Sequence, residues 1–169
     1  PAELQGHAPD VDFATVRRIV EDELAAPVET AFASFEARPV AAASLAQVHK
    51  ASLANGRAVA VKVQRPGLGP LFHRDLDALD LGLRIARMVL PRRLRRTNLP
   101  AFLSEFRRYS LAELDFCAEA AVMDRFRENL AGQDRVRIPK TYPDHPAARV
   151  LTIDWVDGMR LSQAPAALP

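Results

Sequence analysis

The sequence predicts an α+β fold in which an antiparallel sheet is combined with long helices. Three observations indicate it: a strand pair joined at Asn55-Gly56, two long amphipathic segments at 71–90 and 98–131, and a near-continuous apolar run at 149–156. We therefore expect three strands, then two helices, then two further strands in one domain.

The strand pair is the most specific local signal. Asn55-Gly56 favours a two-residue type I′ turn, because that turn needs positive φ at both positions. The strand after it, 57–64, alternates strictly, with three valines on one face and Ala60, Lys62 and Gln64 on the other. One face therefore belongs to the core, and the other carries a lysine beside a small apolar residue.

This strand and the loop before it carry a family resemblance. Residues 59–62, V-A-V-K, match the kinase motif V-A-I-K, and the glycine-rich pattern G-x-G-x-x-G-x-V falls on Ala41, Ala43, Ala46 and Val48. With S-L-A-Q-V-H-K-A and V-K-V-Q-R-P-G, the all-alanine loop resembles the UbiB-type atypical kinases, also called the AarF/ADCK family. The resemblance implies a protein-kinase-like N-terminal lobe without its C-terminal lobe. An alanine-rich hairpin with a solvated lysine is the alternative.

The resemblance also implies an adenine-nucleotide site, with ATP or ADP and Mg²⁺ as cofactors of the complete protein. Ala60 would contact adenine, Lys62 would contact the α/β-phosphates, and Glu119 would pair with the lysine. The residues of the alanine loop and the following strand expected in the nucleotide site are Ala41, Ala42, Ala43, Ser44, Ala46 and Val48.

The end of the chain predicts the last two strands, at 136–138 and 149–156. The second of these resembles the fifth strand and hinge of a kinase. Ile153 would then occupy the gatekeeper position, and the carbonyl of Asp154 and the amide of Val156 would face the adenine edge.

The segment 98–131 predicts a helix with a break near Ser110. Glu113 and Asp115 resemble the regulatory E-x-D motif of the family, whose partner, a K-x-G-Q motif, this chain lacks. Asp115 and Glu119 are four residues apart, so on one continuous helix they would share a face and compete for Lys62. An acidic, solvated helix surface is the alternative. We also expect Val122, Met123 and Phe126 to pack on the valine face of the sheet or its edges, and Cys117 to be a small core residue.

Between the two long helices lies a run of arginines, namely Arg92, Arg93, Arg95 and Arg96. Such a run is usually a solvated face, and contact with an anionic membrane surface or a phosphate is the alternative. The helix before it, 71–90, has an apolar stripe with acidic residues in its first turns.

The chain divides into three parts. Residues 1–38 form a partial helical extension, with Asp10 or Asp12 as the N-cap of the first helix and a second short helix after Pro27. Residues 39–163 form the kinase-like lobe, with strands at 39–66, the inserted helix at 71–90, a helix resembling the kinase helix αC at 98–131, and the last strands and hinge at 136–158. Residues 164–169 begin an interlobe region.

Composition sets further limits. The net charge of +2 and pI of about 9.1 favour no nucleic-acid partner, and one cysteine excludes an internal disulfide. Four scattered histidines predict no metal site made by protein ligands alone. No apolar run is long enough to span a bilayer. We expect a cytoplasmic location, with peripheral contact at the inner face of a membrane left open.

The motifs that follow the hinge in active kinases are absent from this sequence. Neither an H-x-D loop with its downstream Asn nor a D-F-G-type metal-binding Asp occurs after Gly158. The resemblance therefore implies that the catalytic base and the metal ligands lie beyond Pro169, and we expect no catalytic residue within residues 1–169.

Two functions remain as expectations. The first is the ATP-binding segment of a UbiB-like kinase or ATPase, a family that supports ubiquinone biosynthesis, with the missing C-terminal lobe as its partner. A non-catalytic pseudokinase, or a scaffold or lipid-contacting module, is the alternative.

Overall fold

The computed structural model describes residues 10–89, 98–142 and 147–158. The helices are α1 Phe13–Leu24, α2 Val28–Ala31, α3 Leu68–Val89, α4 Leu99–Ala112 and α5 Phe116–Asn129. The strands are β1 Ser34–Phe35, β2 Ala41–Ala42, β3 Ala46–Ser52, β4 Ala58–Gln64 and β5 Val150–Asp154.

Two of the predicted regions lie outside the described residues. They are the arginine run at 92–96 and the expected interlobe region 164–169, which includes Pro169. The structure therefore does not test the expectation that the catalytic base and the metal ligands lie beyond Pro169, and that expectation stays a prediction.

The strands form one antiparallel sheet in the order β1-β3-β4-β5, with the short β2 also paired to β3. Its register places Val48, Lys62 and Leu151 in one row across β3, β4 and β5. Because side chains alternate along a strand, the register defines two faces. The site face carries Ala46, Val48, Lys50, Ala60, Lys62, Gln64, Leu151 and Ile153, and the core face carries Gln47, His49, Ala51, Val59, Val61, Val63, Val150 and Thr152.

The core face is closed by the N-terminal helices. α1 contributes Val16, Ile19 and Val20, which are buried against the valines of β4, and the chain around α2 contributes Val28 and Phe32. Full burial of such side chains stabilises a fold by about 1.5–3 kcal/mol each. The predicted extension is therefore part of the main hydrophobic core.

The site face is covered in part by α5. Phe116, Ala120 and Met123 pack on Ala46 and Leu151 of the sheet. The expectation that Val122, Met123 and Phe126 pack on the valine face or its edges is wrong for a geometric reason. α1 already occupies that face, Met123 packs on the opposite face, and Val122 and Phe126 are about half exposed.

The hairpin between β3 and β4 differs from the predicted type I′ turn. Gly56 has a φ of +77°, but Asn55 does not have positive φ. The Gly56 amide donates to the Leu53 carbonyl at 2.9 Å, and the Leu53 amide donates to the Arg57 carbonyl at 2.9 Å. This is a three-residue loop with glycine in the left-handed position, the next most common hairpin connection. The Asn55 side chain instead accepts from the Arg57 amide at 3.0 Å.

Two strand predictions also needed correction. No strand forms at 136–138; an isolated bridge joins Thr141 to Ile153 instead, next to Pro139, which has no amide to donate. In addition, β1 pairs with β3 inside the segment expected to be helical. β1 has two residues and the segment 136–138 has three, and alternation cannot be recognised over so few residues.

The predicted helix 98–131 is two helices. The break spans 113–115, later than Ser110, and α5 begins with Asp115 as its N-cap. The inserted helix begins at Leu68, three residues earlier than the predicted 71, because Pro70 is tolerated in a first helical turn. α3 and α4 pack mainly on each other, and only Leu76 of α3 is buried among their described residues.

Candidate functional site

Lys62 is the centre of the candidate site. Its Nζ lies 2.6 Å from Oε2 of Glu119, and it stands 4.4 Å from the centre of the Phe116 ring. The side chains of Lys62 and Glu119 are 29% and 41% exposed, so the pair is open to solvent on one side. The ion pair predicted between these residues is present. An ammonium has three donors, so Lys62 can bind a further anion while it keeps Glu119.

The start of α5 holds Glu119 at this distance. The Asp115 carboxylate caps the helix by accepting from the Cys117 amide at 2.9 Å. The Phe116 amide donates to the Ala148 carbonyl at 2.9 Å, which ties the first turn to the chain before β5. Glu119 follows one turn later and therefore points at β4.

Apolar side chains lie beside Lys62 on the sheet. Val48 and Leu151 flank Lys62 in its row, and Ala60 and Ile153 lie in the next row toward the end of β5. The structure thus brings together four of the predicted nucleotide-site residues, Val48, Ala60, Lys62 and Ile153, on one face. A planar apolar ring fits against side chains of this size.

The alanine loop is the hairpin between β2 and β3. The Ala43 amide donates to the Ala46 carbonyl at 2.8 Å, and Arg65 Nε donates to the Ala43 carbonyl at 2.8 Å. Ala41 pairs with Val48, and Ala43 and Ser44 are exposed at the turn. The loop is therefore anchored to Arg65, which immediately follows β4, the strand of Lys62.

At the other end of the site face, the chain leaves β5 through Trp155 and Val156. The Trp155 amide donates to the Ala58 carbonyl at 3.1 Å, and Lys50 Nζ stands 4.9 Å from the centre of the Trp155 ring. Val156 is an exposed residue, and within the described part of the chain its amide has no hydrogen-bond partner. The Asp154 side chain lies on the core face, where it accepts from the Tyr142 hydroxyl at 2.6 Å, so only its backbone could face a nucleotide.

Comparison with known proteins identifies this arrangement. The chain matches the ABC1 atypical kinase-like domain over residues 3–167, which is nearly its whole length. The chain belongs to the ABC1 atypical kinase-like family. It is 39% identical to ACTIVITY OF BC1 COMPLEX KINASE 7 of Arabidopsis thaliana over 166 residues, covering 98% of this chain and 24% of that protein. It is 33% identical to a protein named "Probable protein kinase UbiB" of Aeromonas salmonicida, covering 98% of this chain and 30% of that protein.

A solved structure supports the same assignment. The structure of Rv3197 of Mycobacterium tuberculosis in complex with erythromycin matches with a TM-score of 0.80 and 28% identity, covering 92% of this chain and 38% of that one. The described fold is therefore that of a kinase N-terminal lobe. The chain spans 22% to 30% of the length of seven curated relatives.

The E-x-D residues of the ABC1 lobe do not share a helix face with Glu119. Glu113 ends α4 and is exposed, whereas Asp115 caps α5 with its own side chain. The break between the helices separates Asp115 from Glu119, which a continuous helix would have placed on one face. Asp115 is therefore no rival for Lys62, and the regulatory role of the E-x-D pair stays a prediction.

Sequence reasoning missed four buried side chains in the lobe. Gln64 and Phe116 stand beside the ion pair on the site face, whereas Gln47 and His49 lie on the core face. The alternation of β4 placed Gln64 on the face of Lys62 and could have revealed it. The partners of Gln47 and His49 are distant in sequence: Gln47 contacts the Val11 backbone, and His49 Nδ1 lies 2.9 Å from the Glu36 carbonyl.

Metal ligands and reactive thiols are not features of the described site. In residues 10–89, 98–142 and 147–158, no group of three or more His, Cys, Asp or Glu side chains could hold a metal ion. Cys117 is exposed, contrary to the expectation of a core residue, because it follows the cap of α5 on the outer side. Partial burial and the nearby Asp115 carboxylate raise the pKa of the thiol, which disfavours a reactive thiolate.

Proposed function

We propose that this chain binds an adenine nucleotide as the N-terminal half of an ATP site in an atypical kinase or ATPase. The observation that carries the proposal is the Lys62–Glu119 pair at 2.6 Å on the same sheet face as Ala60 and Ile153. A cation beside a small apolar surface fits a ligand with a ring at one end and phosphates at the other.

The residues divide the binding between them. Ala60, Val48 and Ile153 would contact the adenine ring, and the Val156 amide would donate to its edge. Lys62 would neutralise phosphate charge while Glu119 fixes the position of the ammonium. The backbone amides of the alanine loop would lie near the phosphates at the opposite end of the sheet from Val156.

Mg²⁺ and the chemical step would depend on other groups. The described residues assemble no ligand set for a metal ion. When bound, Mg²⁺ would neutralise charge on the transferred phosphoryl group. The kinase or ATPase activity of the complete protein, and its link to ubiquinone biosynthesis through the UbiB-type relatives, are parts of this proposal.

Binding can be measured with the protein's own fluorophore. Trp155 is the single tryptophan and stands beside the expected adenine edge. Titration with ATP, ADP and GTP should change its emission, and calorimetry should give the affinity. Lys62→Met should weaken ATP binding about tenfold or more, since hydrogen bonds to charged groups contribute about 1.5–3 kcal/mol.

Lys140→Met is the matched control, because the Lys140 ammonium stands 5.6 Å from the Tyr142 ring and away from the site face. This variant should bind ATP as the unchanged chain does. Equal ATP affinities of the two variants would contradict the proposal. We expect binding without turnover, so ATP hydrolysis that is lost in Lys62→Met would show that the chain carries more of the catalytic machinery than we propose.

A second function, peripheral contact with an anionic membrane, is favoured by the α3–α4 hairpin. Met88 and Phe102 are 76% and 67% exposed. Asp75 and Asp77 lie in the first half of α3, whereas Arg84, which pairs with Asp80, and Arg87 lie in its second half. Exposed apolar side chains beside cations are typical of helices that lie in a membrane interface. None of the described helices is long and apolar enough to cross a bilayer.

Co-sedimentation with vesicles tests this second function. The chain should bind vesicles that contain phosphatidylglycerol at low salt and bind less at high salt. Phe102→Glu should abolish this binding, whereas Val122→Glu, which adds the same charge to an exposed site on α5, should not. Loss of binding in both variants, or a concentration-dependent dimer that Phe102→Glu dissociates, would contradict membrane contact.

A further inference from the structure

We infer that Gln64 is a positioning residue, which holds the start of α5 against the sheet and thereby keeps Glu119 on Lys62. The inference rests on the proposed function for its meaning, since the Lys62–Glu119 pair would serve the nucleotide. The contacts of Gln64 do not depend on that function. The test therefore measures the reactivity of the Lys62 amine and not nucleotide binding.

Gln64 stands two residues after Lys62 on the same face of β4. Gln64 is only 5% exposed, and its Nε2 donates to the Leu114 carbonyl at 2.7 Å. A buried amide without a partner is costly, so this hydrogen bond is strongly favoured once β4 is in the sheet. Gln64 therefore links the strand of the lysine directly to the break between α4 and α5.

The hydrogen bond from Gln64 lies at the start of α5, where it can hold the first turn of the helix in place. Leu114 immediately precedes the N-cap Asp115, and a carbonyl bonded to Gln64 does not continue the α4 hydrogen-bond pattern. On the other side, the Phe116 amide donates to the Ala148 carbonyl at 2.9 Å. The first turn of α5 is thus held from β4 and from the chain before β5, and Glu119 lies in the next turn.

Phe116 completes this arrangement. Its side chain is 1% exposed, packs with Ala46 and Leu151, and presents its ring to the Lys62 ammonium. A ring in this place limits how far Lys62 can turn from Glu119, and a cation at such a distance from a ring is also attracted to it. All these contacts are made by protein groups, so the pair needs no ligand to assemble. α5 should therefore stay docked whether or not a nucleotide is bound.

The test measures how readily an amine reagent modifies Lys62, by mass spectrometry of the folded chain without nucleotide. Lys50 and Lys140 serve as internal references. Glu119→Gln is the positive control, because it removes the charge that holds the ammonium. Gln64→Met is the test variant, because it keeps the length and approximate volume of the side chain and removes the donor.

Gln47→Met is the matched control. Gln47 is also a buried glutamine of the same sheet, 1% exposed, but it lies on the core face and contacts the Val11 backbone. Both substitutions remove one buried hydrogen-bonding amide. Of these two glutamine variants, only Gln64→Met should increase the modification of Lys62. The expected increase is about twofold to fivefold, which is the range for release of a partly exposed ion pair. Circular dichroism shows whether each variant is folded.

Unchanged Lys62 modification in folded Gln64→Met, with an increase in Glu119→Gln, would overturn the inference. An equal increase in Gln47→Met would also overturn it, since a general loosening of the sheet would then explain the result. If Gln64→Met does not fold, hydrogen exchange of the unchanged chain decides: the Phe116 amide should be protected without nucleotide and equally protected with ATP. Rapid exchange of this amide without nucleotide would refute a docked α5. If ATP binding alone fails, the proposed function is refuted. The measurements of Lys62 modification and of Phe116 amide exchange would still test the role of Gln64.

Discussion

The two faces of the sheet are built from the same strands but have different roles. On the core face, Val59, Val61 and Val63 are fully covered by α1 and the chain around α2. On the site face, α5 covers one part, and Lys62 remains open to solvent beside its partner Glu119. Alternation along one strand thus separates the residues that stabilise the lobe from those that can bind a ligand.

The polar residues of the two faces show the same contrast. Gln47 and His49 are buried on the core face and find partners within the protein, in the Val11 and Glu36 backbone. Lys62 on the site face keeps donors free for a further anion after it has bound Glu119. Spare hydrogen-bonding capacity next to apolar surface is what distinguishes a binding face from a structural one. The following substitutions test this division.

The largest expected effect is on the core face. Ile19→Ala removes a buried side chain of α1 that packs on the valines of β4. Its free energy of unfolding should fall by about 2–5 kcal/mol, because both apolar burial and packing are lost. Denaturant titration followed by circular dichroism measures the loss. A loss below about 1 kcal/mol would mean that α1 is not part of the main core.

The pH dependence of stability should come from the core face as well. Burial lowers the pKa of His49 below its usual value of 6.5, against weaker opposing effects of the Glu36 carbonyl and the Asp10 charge. The unfolded chain therefore binds a proton first as the pH falls, so stability is present above pH 6.5 and is lost below it, by at most about 1.4 kcal/mol per pH unit. Denaturant titrations between about pH 7.5 and pH 5, on either side of an unperturbed histidine, should show this slope.

The slope in stability should be smaller in His49→Gln, whatever that variant's stability at neutral pH. His73, which is exposed on α3, provides the control, and His73→Gln should keep the slope of the unchanged chain. The same slope in all three proteins would show that other groups titrate on unfolding.

On the site face, removal of charge should affect stability much less. Glu119→Gln should change the free energy of unfolding by less than about 1 kcal/mol, because both partners of the pair are partly exposed and screened by water. Its ATP affinity should nevertheless fall, since Lys62 is then less well fixed. If this variant loses as much stability as Ile19→Ala, the pair is a structural element and the contrast between the faces fails.

The smallest expected effect concerns the alanine loop. Ala43→Gly should cost about 0.5–1 kcal/mol of stability through backbone entropy. Without the Cβ, the loop amides can approach phosphates more closely, so the preference between ATP and ADP should change. Ala54→Gly, in the turn between β3 and β4, is the control and should lower stability similarly without changing nucleotide preference. If Ala43→Gly also leaves that preference unchanged, the loop is only a strand connection.

Sequence patterns were sufficient where the signal is local and repeated. The alternation of β4 separated the valines from Lys62, and the apolar stripe of α3 located a long helix. The family resemblance, including that of the segment around Glu119, named Glu119 as the partner of Lys62, and the structure places them 2.6 Å apart. Motifs of this kind predict contacts because they indicate a known fold, in which the same positions lie close together.

Predictions failed where the backbone conformation depends on groups that are distant in the sequence. At the break at 113–115, the Leu114 carbonyl accepts a hydrogen bond from Gln64, which lies fifty residues earlier in the chain. The Asn55-Gly56 turn adopted a three-residue form, because a short turn sequence is compatible with several loop lengths and the register of the strands selects one.

The sequence by itself determined which residues of β4 would share a face, because strand alternation and helix periodicity are properties of neighbouring residues. Only the tertiary structure decided that α1 closes the valine face and that α5 therefore packs on the face of Lys62. Two amphipathic helices of similar character can each cover either face, and the choice between them depends on the connections and on buried polar contacts such as Gln47 with Val11 and Gln64 with Leu114. Such contacts join residues far apart in the chain, so no local pattern encodes them.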